Sequence, residues 1–484
     1  MTPSSRTPEE PYQPRPAEDT FAALPAPWPQ EGLREEIRSQ LVREGTAVVV
    51  VDDDPTGTQT VHDVPVLTTW DETALEKELA AGTVAFYVLT NSRALPEADA
   101  VRLARELGAN LRQASQRAGR RVEVISRSDS TLRGHYPAET DALAEALGCR
   151  PDGLIIAPYF REGGRFTLGD VHYVRQGDLL VPAAQTEFAR DPVFGYAHSN
   201  LRDWVEEKTG GRWRAEQVTS VPIGVTRSGG PGAVEPLLQS LTGGQPLIVN
   251  AADDRDLEVV VSALSRAEAQ GERYLCRTAA SFAKVRAGIS DRPLLQPEEL
   301  RSPSADCHGG LVVVGSYVPM STRQLARLRQ EPGWVSVELD VPSLIDPARR
   351  GPCLDRAQAA LADALSADRN VVLFTSRDHI TGQSRSESLS IGRSVSEALV
   401  ELVRSLPVRP RFLIAKGGIT SSDLATEALG VRRALVLGQI AHGVPVWRLG
   451  EESKFPGLAY VVFPGNVGTD STLADVARAL SEVC

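Results

Sequence analysis

Short apolar runs rich in valine, isoleucine and leucine alternate along this chain with longer stretches whose apolar positions recur every three to four residues. The runs predict strands buried on both faces, the longer stretches predict amphipathic helices, and the alternation predicts an α/β protein with largely parallel sheets. Strands are expected at Ala47–Val51, Val84–Leu89, Arg121–Ile125, Gly153–Ala157 and Pro246–Asn250, with helices at Glu31–Arg43, Ala98–Ala118 and Ala138–Leu147. After the polar stretch Asp291 to His308 a second cycle begins. Its strands are expected at Gly310–Val314, Trp334–Leu339, Asn370–Thr375, Arg411–Ile414, Ala434–Leu437 and Ala459–Phe463, and its helices at Ser321–Arg329, Leu354–Ala367, Ser388–Arg404 and Ser422–Leu429. The pattern divides the chain into an N-terminal arm and lead-in helix (1–45) and two α/β domains (46–300 and 301–484), with the break between Arg286 and Cys307. Residues 1 to about 30, rich in Pro, Glu and Ser, read as a disordered or loosely draped arm. No repeat of solenoid period is present.

Composition narrows the class. The 484 residues are 42% hydrophobic and 24% charged, which suits a globular protein of more than one domain. A net charge of −11 argues against a general nucleic-acid binder. No apolar run is long enough to span a bilayer, and the N-terminus lacks the pattern of a signal peptide. Cys149, Cys276, Cys307, Cys353 and Cys484 are scattered and odd in number, as expected of reduced thiols rather than a disulfide framework or zinc site. Together these predict a cytoplasmic protein with no membrane or nucleic-acid partner.

In open α/β sheets ligands bind beyond the carboxyl ends of strands, so the residues there carry the functional signal. The first strand delivers Asp52, Asp53 and Asp54 into the turn DDDPTGTQT, where three crowded carboxylates call for a cation or a proton to remove. A solvated structural turn is the plainer reading. The next strand ends are TNSR (Thr90–Arg93), SRSDSTLRGH (Ser126–His135) and PYFREGGRFTLGD (Pro158–Asp170). They bring Arg93, Arg127, Arg133, Arg161 and Arg165 toward hydroxyl-rich turns, a combination suited to a small hydroxylated anion. Any one of these arginines alone would be read as a surface ion pair. In the second half the strand ends are GSYVP (Gly315–Pro319), TSRD (Thr375–Asp378), AKGGITSSD (Ala415–Asp423) and FPGNVGTD (Phe463–Asp470). Glycine and hydroxyl turns that open helices make phosphate cradles. Neither a P-loop nor a G-x-G-x-x-G fingerprint is present, which argues against a P-loop NTPase and an ordinary dinucleotide dehydrogenase.

The first motif also fits the D-x-D-x-T pattern of haloacid-dehalogenase-like phosphatases. On that reading Asp52 is a phosphoaspartyl nucleophile, Asp54 a general acid, Thr90 the second-motif hydroxyl and Asp253 with Asp254 the metal-binding pair. Lys208 and Lys284 are weak candidates for the lysine it needs, and the second domain is left without a role.

Six ordered motifs give a more specific comparison. They are Asp53-Asp54-x-Thr56-Gly57, Thr90-x-Ser92-Arg93, Asp129-Ser130-Thr131-x-Arg133-Gly134, the Gly164–Val174 segment leading to Asp191-Pro192, Gly417-Gly418-x-Thr420-Ser421 and Pro464-Gly465-Asn466-x-Gly468, with Gly315-Ser316 opening the second half. In these the chain resembles the four-carbon acid sugar kinase family, which phosphorylates tetronates and related sugar acids with ATP, over most of residues 46 to 480. The resemblance implies a sugar-acid-binding domain over 46–300, a nucleotide-binding domain over 301–484 and an active site in the cleft between them. It implies substrate contacts from Asp53, Thr56, Gly57, Arg93, Asp129, Ser130, Arg133 and Arg165. Nucleotide contacts would come from Ser316, Gly417, Gly418, Thr420, Ser421, Gly465, Asn466 and Gly468. The chain departs from the family pattern at Ile419, often Glu, at Thr58, often Ala, at His135, and in the extension His62-Asp63.

On this reading ATP and Mg²⁺ are the cofactors, although no residue set stands out as a dedicated metal site. Asp54 or Asp53 is the expected base toward the acceptor hydroxyl, with Arg133 and Arg93 steadying the carboxylate or the phosphoryl group. The other readings are the phosphatase and a non-catalytic sensor of sugar acid and ATP, which Ile419 favours. A homodimer is the default expectation.

Overall fold

The computed structural model describes residues 11–148, 150–301, 308–377 and 385–482. Cys149, Cys307, Cys484 and Asp378, named above, lie outside the described residues, as do residues 1–10. The chain forms two compact units, one of residues 1–57 and 69–291, the other of residues 58–68 and 292–484.

The first unit is built on seven parallel strands in the order Thr219–Val221, Gln245–Val249, Gly153–Ala157, Tyr274–Thr278, Val122–Arg127, Ala47–Asp52 and Ala85–Leu89. Ala47–Asp52 is buried throughout, as a valine run covered on both faces must be. From it the chain crosses to Ala85–Leu89 on one side and then to Val122–Arg127 on the other. The reversal opens a crevice at its carboxyl end, where the acidic turn begins. A second sheet of four antiparallel strands, Arg15–Pro16, Leu179–Pro182, Val171–Gln176 and Arg165–Leu168, belongs to the same unit. The stretch 11–30, expected to be loosely draped, is instead built in. Arg15–Pro16 pairs with that sheet, Ala17 is buried, and the Arg227 and Arg255 side chains donate to the Pro25 and Gln30 carbonyls.

In the second unit five parallel strands run in the order Ala459–Phe463, Phe412–Lys416, Leu311–Val314, Asn370–Thr375 and Trp334–Leu339. Val444–Leu449, Arg433–Ala441 and Val64–Leu67 extend the sheet antiparallel beyond Ala459–Phe463. Val64–Leu67 comes from the early chain segment 58–68, and the Trp447 indole donates to Thr58 Oγ1 at 3.1 Å. Leu311–Val314 lies between Asn370–Thr375 and Phe412–Lys416, so a second reversal point falls at Gly315–Ser316. Among the described residues no helix is long and apolar enough to cross a membrane. Cys276 and Cys353 are buried free thiols.

Candidate functional site

At the end of Ala47–Asp52 the three aspartates point into three different environments. Asp52 is buried and pairs with Arg127, directly across the strand ladder, at 3.0 Å. Its carboxylate lies so close to Gly57 that a Cβ there would stand 1.8 Å from Oδ2, so only glycine fits. Burial pushes the Asp52 carboxyl up to about 7 against the pull of Arg127, with the Asp53 charge adding to the rise. Asp53 is also closed off: Oδ2 accepts from Ser128 Oγ at 2.8 Å, while Oδ1 is buried without a hydrogen-bond donor. Asp54 is the open member, its side chain 20% exposed. Thr56 N donates to its Oδ1 at 2.8 Å, Thr56 Oγ1 donates to the same oxygen, and Arg93 holds Oδ2.

Arg93 ties the predicted turns together, since its Nη1 lies 3.8 Å from Asp53 and 3.6 Å from Asp129. Asp129 is half-buried, yet Arg93 and Arg133, the latter through Nε at 2.7 Å, and the Thr131 hydroxyl hold its carboxyl well below the usual range. Arg133 also reaches Asp191 at 3.6 Å. Ser130 is fixed through its carbonyl by His172 Nε2 at 2.8 Å, and burial pulls that imidazole down to about 4, so it is neutral at pH 7. Arg165 differs from these arginines. It has no acid within ion-pair distance and no hydrogen-bond acceptor among the described residues; Nε is shut away while the side chain is half-buried. Burial lowers its pKa against the more distant pull of Asp129 and Glu187, and the neighbouring Arg133 charge adds to the fall. Arg161, grouped with it from the sequence, lies elsewhere and faces Asp253 at 3.8 Å.

The sequence reading missed several residues. Glu139, on the helix Ala138–Leu147, accepts from Ser92 Oγ at 2.5 Å, and burial together with the charge on Asp53 pushes it up to about 7. Its stabilising contribution is therefore complete below about pH 4.5 and lost as pH rises through about 7. Glu139→Gln, a permanent mimic of the neutral form, should gain on the wild type in thermal melts between about pH 5 and 8, by up to ~3 kcal/mol. Equal pH slopes would rule the assignment out. Arg277 stacks over Tyr136 and Trp204, at 5.2 and 5.0 Å from the ring centroids, and donates to the Arg133 carbonyl. For Glu139 the only sequence signal was an acidic side chain shortly after a recognised turn; Arg277 carried none, because its strand Tyr274–Thr278 was not expected.

In the second unit the glycine turns after three adjacent parallel strands converge. A Cβ on Gly315 would meet Thr420 Oγ1 at 2.2 Å, and one on Gly465 would meet Ser316 Oγ at 3.0 Å. Gly417 has φ +119°, which lets the helix Gly418–Asp423 open directly from the strand end with Ser316 packed against it. Ser321 Oγ bridges Ser316 Oγ at 3.0 Å and the Gly465 carbonyl at 2.9 Å. Ser316, Gly417, Gly418, Thr420 and Gly465 thus form one cradle. Ser421 is turned inward, donating to the Ala415 and Gly417 carbonyls. Asn466 and Gly468 lie further along their loop and are exposed, and Ile419 is 61% exposed at the cradle's edge. Lys416, fully buried, donates to the Pro464 and Gly465 carbonyls and is pulled down by burial to about 7. Arg377 braces the cradle from the next strand end, donating to the Ser316 carbonyl at 2.7 Å.

Two family models match the chain, one over each of these clusters. A sugar-binding N-terminal domain matches residues 48–286 and a nucleotide-binding C-terminal domain matches residues 311–473. The chain belongs to the four-carbon acid sugar kinase family. It is an ATP-dependent sugar-acid kinase. The kinase is 27% identical over 241 residues to D-erythronate kinase of Heliobacterium modesticaldum, an alignment that spans 49% of this chain and 50% of that protein. It is 27% identical over 382 residues to D-threonate kinase of Cupriavidus necator, spanning 76% of this chain and 81% of that one. A crystal structure from Salmonella typhimurium LT2, described as that of a tRNA synthase, superimposes with a TM-score of 0.65 over 90% of this chain and 99% of that one, at 18% identity; that likeness concerns the fold alone.

The phosphatase reading loses its support in the kinase's geometry. Its nucleophile, Asp52, is 1% exposed and spent on Arg127. Asp253 caps the helix Asp254–Ala269, accepting from Arg255 N, and follows a strand separated from Ala47–Asp52 by three others.

Proposed function

We propose that the acceptor is a short hydroxylated monocarboxylate, a tetronate or an oxo-tetronate, with its carboxylate held by Arg165 and one hydroxyl presented to Asp54. The observation that supports this is the contrast among the arginines. Arg93, Arg127 and Arg133 are each committed to a carboxylate of the protein, whereas Arg165 is left without one. A half-buried guanidinium with no acid in direct contact is stabilised by an anion from outside, and its fork matches a carboxylate. The relatives named for D-erythronate and D-threonate suit the same chemistry.

In this mechanism Thr56 and Arg93 fix the plane of the Asp54 carboxylate. Asp54 takes the proton of the acceptor hydroxyl as its oxygen bonds to the γ-phosphorus and the bond to the ADP oxygen breaks. Asp53, closed off from solvent, positions the turn through Ser128. The amides of the Gly417–Gly418 turn and of Gly315–Ser316 hold the phosphates. Mg²⁺, which commonly takes one or two carboxylates with phosphate and water oxygens, would neutralise phosphate charge. Among the described residues no three acidic, histidine or cysteine side chains form a cage, so its ligands would be mainly phosphate and water oxygens, with Asp54 left as the base.

The test is ADP release by the wild type with a panel of four- to six-carbon sugar acids, alongside Arg165→Gln. Acid-dependent ADP release is expected, with KM for the acid raised ~10- to 100-fold in the variant, the range for hydrogen bonds to a charged group, and KM for ATP unchanged. ATP binding without turnover on any acid would favour the sensor reading instead.

A further inference from the structure

We infer that Phe188 sets the length of acid the site accepts, acting as the spacer that fixes how far the Arg165 fork stands from Arg133 and the Asp129 turn. This rests on the reading above, in which Arg165 holds the substrate carboxylate. Phe188 is half-buried, with the Arg133 guanidinium carbon 5.2 Å and the Arg165 guanidinium carbon 5.5 Å from its ring centroid. The two cations therefore share one ring. Arg133 is immobilised through Asp129 and Asp191. Arg165 has no such ion pair, so the ring is one of the contacts on which the position of its head group depends.

Phe188 itself is held firmly. It sits on the short turn Glu187–Arg190, preceded by Thr186, whose hydroxyl donates to the Ala183 carbonyl at 2.6 Å. The Asp191 carboxylate then accepts from Val193 N and Phe194 N, and Tyr196 N returns to the Ala189 carbonyl at 3.1 Å. The Tyr196 hydroxyl donates to the Thr131 carbonyl at 2.9 Å, which ties this segment to the Asp129–Arg133 turn. A rigid segment thus carries one apolar ring between two guanidinium groups. Such a ring adds no hydrogen bond; it contributes volume and a cation-attracting face. Taking its volume away leaves room for additional hydroxymethylene units and lets the Arg165 fork swing.

The experiment measures direct binding of four-, five- and six-carbon aldonates, by calorimetry without nucleotide, to the wild type, Phe188→Leu and Phe188→Ala. ADP release on the same acids is followed in parallel. The wild type is expected to bind the four-carbon acid at least ~10-fold better than the six-carbon acid, a ratio worth about 1.4 kcal/mol. Phe188→Ala should erase or invert that ratio, Phe188→Leu should fall between, and KM for ATP should not move. A uniform loss of affinity for all three acids, or no change in their ranking, overturns the inference, as does failure of the wild type to bind any of them. If the ranking shifts but no acid elicits ADP release, the kinase reading fails while the role of Phe188 stands. ADP release with an unchanged ranking leaves the kinase reading intact and removes Phe188.

Discussion

Asp54→Asn is expected to lower kcat about 10²- to 10⁴-fold, the usual contribution of a positioned general base, while KM for ATP stays within a factor of about three. The amide keeps the shape of the carboxylate and its contacts with Thr56 but cannot accept the hydroxyl proton. Among the three aspartates it alone is open to a ligand; Asp52 and Asp53 are 1% and 3% exposed. The loss should therefore appear in kcat rather than in acid binding, which calorimetry measures separately. Because Arg93 would keep Asp53 and Asp129 as partners, the fold should hold, and a melting curve close to that of the wild type is the control. Turnover within tenfold of the wild type would remove Asp54 from the role of base.

The largest expected effect on stability comes from Arg127→Met. The guanidinium is buried and lies 3.0 Å from Asp52 Oδ1, so the change strands a carboxylate in the core of the first unit. Breaking a buried pair by removing one partner costs about 3–5 kcal/mol, which lowers the melting temperature by on the order of 10 °C in a unit of this size. The deficit should depend on pH in a definite direction. Burial already pushes Asp52 up to about 7, and without Arg127 it moves higher. The variant should therefore recover relative to the wild type as pH falls and Asp52 takes up a proton. Chemical unfolding at about pH 5 and 8 measures this; a deficit independent of pH would mean that lost packing, not stranded charge, is responsible.

The parts of the fold legible in the sequence are those governed by local pattern. Gly153–Ala157, Asn370–Thr375 and Ala459–Phe463 were each expected at the residues where they occur, because doubly covered parallel strands are largely apolar; Trp334–Leu339, an edge strand with Ser336 and Glu338 exposed, was also expected where it occurs. Tyr274–Thr278 was missed because Arg277 and Thr278 interrupt its apolar character, though both are buried by neighbours distant in sequence. Arg165–Leu168 falls within the expected strand-end turn Pro158–Asp170 and Val171–Gln176 was given no element, since an antiparallel ribbon carrying Arg165, His172 and Arg175 shows little periodicity. Pro65 and Pro445 concealed Val64–Leu67 and Val444–Leu449, because proline demotes a short run. The acidic turn and glycine turns were visible as clusters of residue types at strand ends. The division of labour within them was not. That Asp52 is spent on Arg127, that Ser421 faces inward, and that Glu139 lies within reach of Ser92 and the Asp53 charge are consequences of tertiary approach, which spacing along the chain does not encode.

The strand Val64–Leu67 bears on how this protein can be dissected. It lies early in the chain yet completes the ladder of the later unit, pairing with Arg433–Val436. A C-terminal piece that starts at Arg292 would therefore have an open β edge along Arg433–Val436 and an indole at Trp447 robbed of its acceptor. Bare edges of that kind recruit other chains. The smallest self-sufficient nucleotide-binding piece is thus not a contiguous stretch of the gene. It needs residues 58–68 restored, whether spliced on as a permuted terminus or supplied as a separate peptide.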